Sequence, residues 1–137
     1  DLLAEIDGIT PLPIPDFCTV YSAWMFGLSV DRAQFACTAD EFGAQLAAAG
    51  IPGASTARYY LMPEACTFLQ RWAEEKRYPY SMPPASRAYR YDESTCPTAH
   101  EFMETWIRWS TFCEKYTAEH CELAASIVRE VAERNRR

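Results

Sequence analysis

An apolar run from Val20 to Val30 is followed by a helix that signals both of its ends, and this succession restricts the chain to a mixed α/β module. Thr38 has the chemistry of an N-cap, and Glu41, three residues on, can reach back to the Thr38 amide to complete a capping box. Phe42, Leu46 and Ala49 then fall on one helical face. Gly50 supplies a residue that tolerates left-handed backbone, and Pro52 forbids continuation. The order is strand, capped helix and stop.

The run itself is apolar on both parities, so it reads as a strand covered on both faces or lying centrally in a sheet. Ser55 to Leu61, short and rich in β-branched and aromatic residues, reads as a second strand. Pro63 suits the first turn of a helix reaching about Glu75, with Phe68, Leu69 and Trp72 as a core-facing stripe. Cys96-Pro97 opens another helix to about Thr105, and Trp106 to Ser110 reads as a final strand. Thr117 is a good N-cap for a last helix, in which Leu123, Ala124, Ile127, Val128 and Val131 recur at helical spacing and pack on the sheet. At the amino end, Leu2 to Ile6 reads as the end of an amphipathic helix closed by Asp7-Gly8-Ile9, and Pro11, Pro13 and Pro15 as an extended linker. The expected fold is α/β of the α+β kind, a small sheet of about three strands against several helices. Residues 1–16 form a helix end and linker, and residues 17–137 a single domain.

A chain of 137 residues with 49% hydrophobic content can build one core. Its net charge of −6 argues against neutralising nucleic-acid phosphates. The one dense basic stretch, Arg134 to Arg137 around Asn135, reads as a solvated, frayed helix end. Cys18, Cys37, Cys66, Cys96, Cys113 and Cys121 show no Cys-x-x-Cys and no paired histidine spacing, which argues against zinc and for free thiols in a reducing, cytoplasmic setting. No apolar run reaches the ~20 residues that span a bilayer, and the amino end lacks the pattern of a signal peptide. The start at Asp1 reads as that of a fragment or a processed product.

No Gly-rich phosphate loop, Gly-x-Ser-x-Gly elbow, EF-hand loop or His-Glu-x-x-His occurs. His120, Cys121 and nearby Cys113 raise a thiol nucleophile, but adjacent helical residues point ~100° apart and do not face one another. Between Arg77 and Tyr91, prolines alternate with Tyr78, Tyr80, Tyr89 and Tyr91 and with Arg87 and Arg90. Such a loop can stack on a ring or clamp an anion, or its tyrosines can simply anchor it to its own domain.

Several strings, in this order, resemble the small C-terminal domain of the DegT/DnrJ/EryC1/StrS family, pyridoxal-phosphate-dependent sugar aminotransferases with a fold-type I arrangement. They are Asp7-Gly8-Ile9 followed by prolines, the strand from Tyr21 to Val30 ending in Asp31, Thr38-Ala39-Asp40-Glu41-Phe42, and Leu46 through Gly50-Ile51. Cys96-Pro97-Thr98-Ala99, Tyr116-Thr117-Ala118-Glu119 and Ile127-Val128 complete the set. The resemblance spans Asp7 to Val131. It implies a substrate-covering domain, inactive alone because a lysine-bearing N-terminal large domain holds the pyridoxal phosphate of the full-length enzyme. It further implies a homodimer acting on a keto sugar and an amino-acid donor. Lys76 and Lys115 match no Schiff-base lysine motif, and no catalytic residue is assigned. Arg58, Tyr59 and Tyr60 occupy the family's substrate-side segment, where Arg58 would pair with a carboxylate or phosphate and Tyr60 would stack on a ring. The segment departs from the family in having Tyr59-Tyr60-Leu61-Met62-Pro63 where a histidine is frequent. Two other readings remain: a binding module using loop 78–91, and a thiol enzyme using Cys113 or Cys121.

Overall fold

A computed structural model of the chain describes residues 2–22, 24–56, 60–85 and 89–137, without the side chain of Glu93. It resolves into two compact units, Asp1–Ala57 with Phe102–Arg137, and Arg58–Glu101.

The first unit is built on a four-stranded antiparallel sheet: β1 (Ile9–Pro11), β2 (Phe26–Val30), β3 (Ala54–Ser55) and β4 (Trp106–Trp109), in the order β1-β2-β4-β3. The mixed α+β class matches the expectation, with one strand more. β1 lies in the segment read as a linker. Ile9 pairs with Val30 and Pro11 with Leu28, and an edge strand tolerates the donor that Pro11 lacks.

β2 is interior, between β1 and β4, but covers only the last five residues of the expected strand. Val20 and Trp24 are 81% and 80% exposed, so these residues of the apolar run lie outside the core. What pairs is Phe26-Gly27-Leu28-Ser29-Val30, and its alternation explains why. Leu28 and Val30 are buried in the core, whereas Ser29 lies on the opposite parity. Gly27 is there too, with the Trp106 indole laid over it, and a Cβ at Gly27 would come within 2.0 Å of that ring's carbons.

Two helices cover the core face, α1 (Ala39–Ala48) and α5 (Ala118–Arg134). Phe42 and Leu46 of α1 and Val128 and Val131 of α5 are at most 1% exposed and share one cluster with Leu28 and Ile107. Burial of each such side chain contributes about 1.5–3 kcal/mol. Leu123, expected on the packed stripe of α5, is instead 60% exposed.

The ends of α1 form as read. The Glu41 amide donates to Thr38 Oγ1 at 3.2 Å and the Thr38 amide to Glu41 Oε2 at 2.8 Å. Gly50, at φ 111°, donates to Ala47 O, and Ile51 donates to Leu46 O, which is the Schellman pattern. α5 begins with a second box, in which Thr117 Oγ1 accepts from the His120 amide and His120 Nδ1 accepts from the Thr117 amide.

The carboxyl terminus is not frayed. Arg134 pairs with Glu130, while the Arg136 guanidinium donates to Gln34 Oε1 and that of Arg137 to Phe35 O. The Ala36 amide donates to Asn135 O, and Arg136 also lies over the Phe35 ring. Buried Phe35 supplies an anchor that the charge pattern alone did not reveal. The expected amphipathic helix at Leu2–Ile6 is likewise replaced by turns, with Gly8 at φ 75° beneath Phe35.

The second unit contains α2 (Met62–Ala65), α3 (Thr67–Glu74), a 3-10 turn (Glu93–Thr95) and the start of α4 (Pro97–Thr105). The single helix expected from Pro63 to Glu75 is broken at Cys66, whose ψ of 64° departs from helical geometry. Phe68 stays exposed and packs edge-on to Trp72, and only Ala73 of α3 is buried.

Candidate substrate-side site

The chain leaves the sheet through β3. Thr56 Oγ1 donates to the Asp40 carboxylate in the first turn of α1, which ties the end of β3 to that helix. Arg58 and Tyr59 lie outside the described residues, whereas Tyr60, 80% exposed, offers its ring to solvent.

The aromatic loop of the second unit has a built interior. Tyr80 is buried, its ring lies edge-on to Tyr89 and Tyr91, and its hydroxyl is 2.8 Å from that of Tyr91. The Tyr91 amide donates to Gln70 Oε1, which ties the loop to α3. The hydrogen bond with Tyr80, together with burial and the neighbouring phenols, pushes the Tyr91 hydroxyl up to about 12. The anchoring role weighed for these tyrosines therefore applies to Tyr80 and Tyr91, and Tyr78, 75% exposed, is left outward. Arg90 is committed within the loop, donating from Nε and Nη2 to Asp92 Oδ2. Hydrogen bonds from Ser94 and then from Arg90 hold the Asp92 carboxyl below its usual range. Arg87 lies outside the described residues. Glu64 Oε1 lies against His100 Nε2 and brings α2 to α4 within this unit.

The thiols carry no activated arrangement. All six are free, Cys113 is exposed, and burial pushes the Cys37 thiol up, away from the thiolate. His120 Nδ1 is occupied by the Thr117 amide, so this imidazole serves the helix cap. Among the described residues, no group of three or more His, Cys, Asp or Glu side chains could hold a metal ion, and no helix is long and apolar enough to cross a membrane.

Both lysines are exposed. Lys76 sits at φ 51° and closes α3: its amide donates to Ala73 O and that of Arg77 to Trp72 O, the same pattern that Gly50 and Ile51 make on α1. A Schiff-base lysine needs a desolvated setting, and neither of these exposed side chains is buried. Among the described residues, the lysines do not fit a Schiff base to pyridoxal phosphate.

The sequence reading missed a groove in the first unit. It has a volume of about 400 Å³ and is lined by Ile51, Trp109, Tyr116, Leu123 and Ile127, with Lys115 and His120 among its walls. A second groove, of about 430 Å³ and lined by Leu3, Leu12, Phe26, Phe112 and Ala125 among others, carries no charged side chain. No sequence signal marked the first groove, since Leu123 read as part of the packed stripe of α5 and only the structure shows it exposed.

Compared with protein-family models, with curated proteins and with solved structures, the chain matches none.

Proposed function

We propose that the chain is the substrate-covering small domain of a pyridoxal-phosphate-dependent aminotransferase resembling the DegT/DnrJ/EryC1/StrS enzymes, acting on a keto sugar or a related keto substrate in the cytoplasm. The observation that carries this reading is the local geometry around Gly50. A boxed helix ends in a Schellman turn and the two residues of β3 follow, with the segment at Arg58–Tyr60 next in the sequence. That is the order in which the resemblance expects the substrate-side residues, and the exposed ring of Tyr60 supports it.

The reading places the Schiff-base lysine on a larger domain outside these 137 residues, in a homodimer, because Lys76 and Lys115 do not suit the role. When bound there, pyridoxal phosphate supplies the electron sink for amino-group transfer between an amino-acid donor and the keto substrate. This chain's part is to bind and orient substrate: Arg58 pairs with an anionic group and Tyr60 covers a ring.

Replacing Arg58 with Ala in the complete enzyme is expected to raise KM for the keto substrate by roughly ten- to a hundredfold, as loss of a charged hydrogen-bond pair does. Tyr60→Ala is expected to raise it by a smaller factor. Unchanged kinetics in both variants would contradict the assignment. A second reading, an interaction module, is favoured by one observation: Tyr80 and Tyr91 hold each other while Tyr78 and Met82 stay exposed.

A further inference from the structure

We infer that the groove between α5 and the turn after β4 is a binding site for a small carboxylate carried on an aromatic or branched aliphatic body. This inference is independent of the aminotransferase reading, since every residue that lines the groove lies in 50–51 or 109–127.

The groove joins two properties that an ordinary surface depression does not combine. Its apolar part is formed by Ile51, Trp109 and Ile127, with Leu123 standing 60% exposed beside them. An apolar ligand body would remove that surface from water, and a volume of about 400 Å³ lies within the range of small-molecule sites. The polar part is cationic or donating. Lys115 supplies an ammonium that no carboxylate of the described residues engages. His120 accepts at Nδ1 from the Thr117 amide at 3.1 Å, so the neutral ring carries its proton on Nε2 and offers it as a donor. One ammonium and one imidazole N–H beside an apolar bed match a carboxylate on an apolar body. They do not match a cation, a polar sugar or a purely apolar segment. The second groove, without charged lining, serves as an internal control for apolar binding alone.

The test is a titration of the ¹⁵N-labelled 137-residue chain with phenylacetate and, separately, with phenylacetamide, followed by amide shifts. Phenylacetate is expected to bind in the millimolar range set by its small size, shifting the amides of Gly50, Ile51, Leu123 and Ile127. Phenylacetamide should bind about threefold more weakly, and Lys115→Gln should reduce phenylacetate to that level, as removal of an exposed charge partner does. Leu123→Asp, at an exposed position that leaves the fold intact by circular dichroism, should weaken both compounds. Equal binding of acid and amide, indifference to Lys115→Gln, shifts centred on Phe112 and Ala125, or no saturable shift would each overturn the proposal.

Discussion

Gln45 and Asn135 hold each other by two reciprocal side-chain hydrogen bonds, from Asn135 Nδ2 to Gln45 Oε1 at 2.8 Å and from Gln45 Nε2 to Asn135 Oδ1 at 3.2 Å. Asn135 also donates to Val131 O. The pair ties α1 to the last turn of α5, beside the hydrogen bonds by which the terminus holds the turn at Phe35. Removing either side chain leaves a part-buried amide without its partner, which costs about 1–3 kcal/mol. In urea unfolding, Gln45→Ala and Asn135→Ala should each destabilise by that order. The double variant should cost less than the sum, by about 0.5–1.5 kcal/mol, because contacting residues couple. Strict additivity would show that the pair contributes nothing beyond its members.

The capping box of α1 makes a separable prediction. Thr38→Ala removes the acceptor for the Glu41 amide and should cost about 1 kcal/mol. Hydrogen bonds from the Thr38 backbone and side chain lower the Glu41 carboxyl from its ordinary value of 4.5. A lowered folded value means that the stabilisation is present above pH 4.5 and is lost as pH falls through the folded value. Thr38→Ala should therefore flatten the acid limb of the stability curve, and Glu41→Gln should flatten it too. An acid limb unchanged in both variants would contradict this account of the helix start.

Gly27 and Trp106 form a tighter constraint. A Cβ at Gly27 would clash with the indole at 2.0 Å, and both residues sit on paired interior strands. Gly27→Ala should destabilise by about 3 kcal/mol, the upper end for overpacking, and Trp106→Leu should recover part of that loss in the double variant. The midpoint of thermal unfolding, read for both single variants and the double, checks this.

At alkaline pH the second unit carries its own signature. The Tyr91 hydroxyl is raised from 10.0 to about 12, first by its hydrogen bond with Tyr80. A raised folded value means that the contribution is complete below pH 10 and is lost as pH rises through about 12. Ultraviolet titration should show one tyrosine ionising late, and Tyr80→Phe should return it toward the others. A Tyr80→Phe curve that overlays the parent would contradict the pairing.

The parts of the fold that could be read from the chain are those fixed by local chemistry. The Thr38–Glu41 box, the stop at Gly50-Ile51-Pro52, the Pro97 helix start and the Thr117 cap depend on neighbouring residues and form where their types predict. Features that depend on distant partners were hidden. β1 is a three-residue edge strand, visible only once Val30 and Leu28 are there to pair with it. Hydropathy made Val20–Met25 resemble the strand it precedes, because periodicity cannot tell a buried run from an exposed one. Lys76 closes α3 in a left-handed conformation that sequence reasoning reserves for glycine or asparagine. The candidate site divides the same way. Arg58, Tyr59 and Tyr60 were named from a family resemblance, whereas the groove at Lys115 and His120 exists only because α5 packs beside Trp109.

The central claim, a domain of an aminotransferase whose lysine lies elsewhere, is tested most directly on the polypeptide made from the native gene. Its absorbance near the visible edge is recorded, it is reduced with borohydride, and the pyridoxyl-labelled lysine is located by peptide mass. The account predicts a yellow protein with the label on a lysine outside these 137 residues. A label on Lys76 or Lys115, or a colourless product with no label, would contradict it.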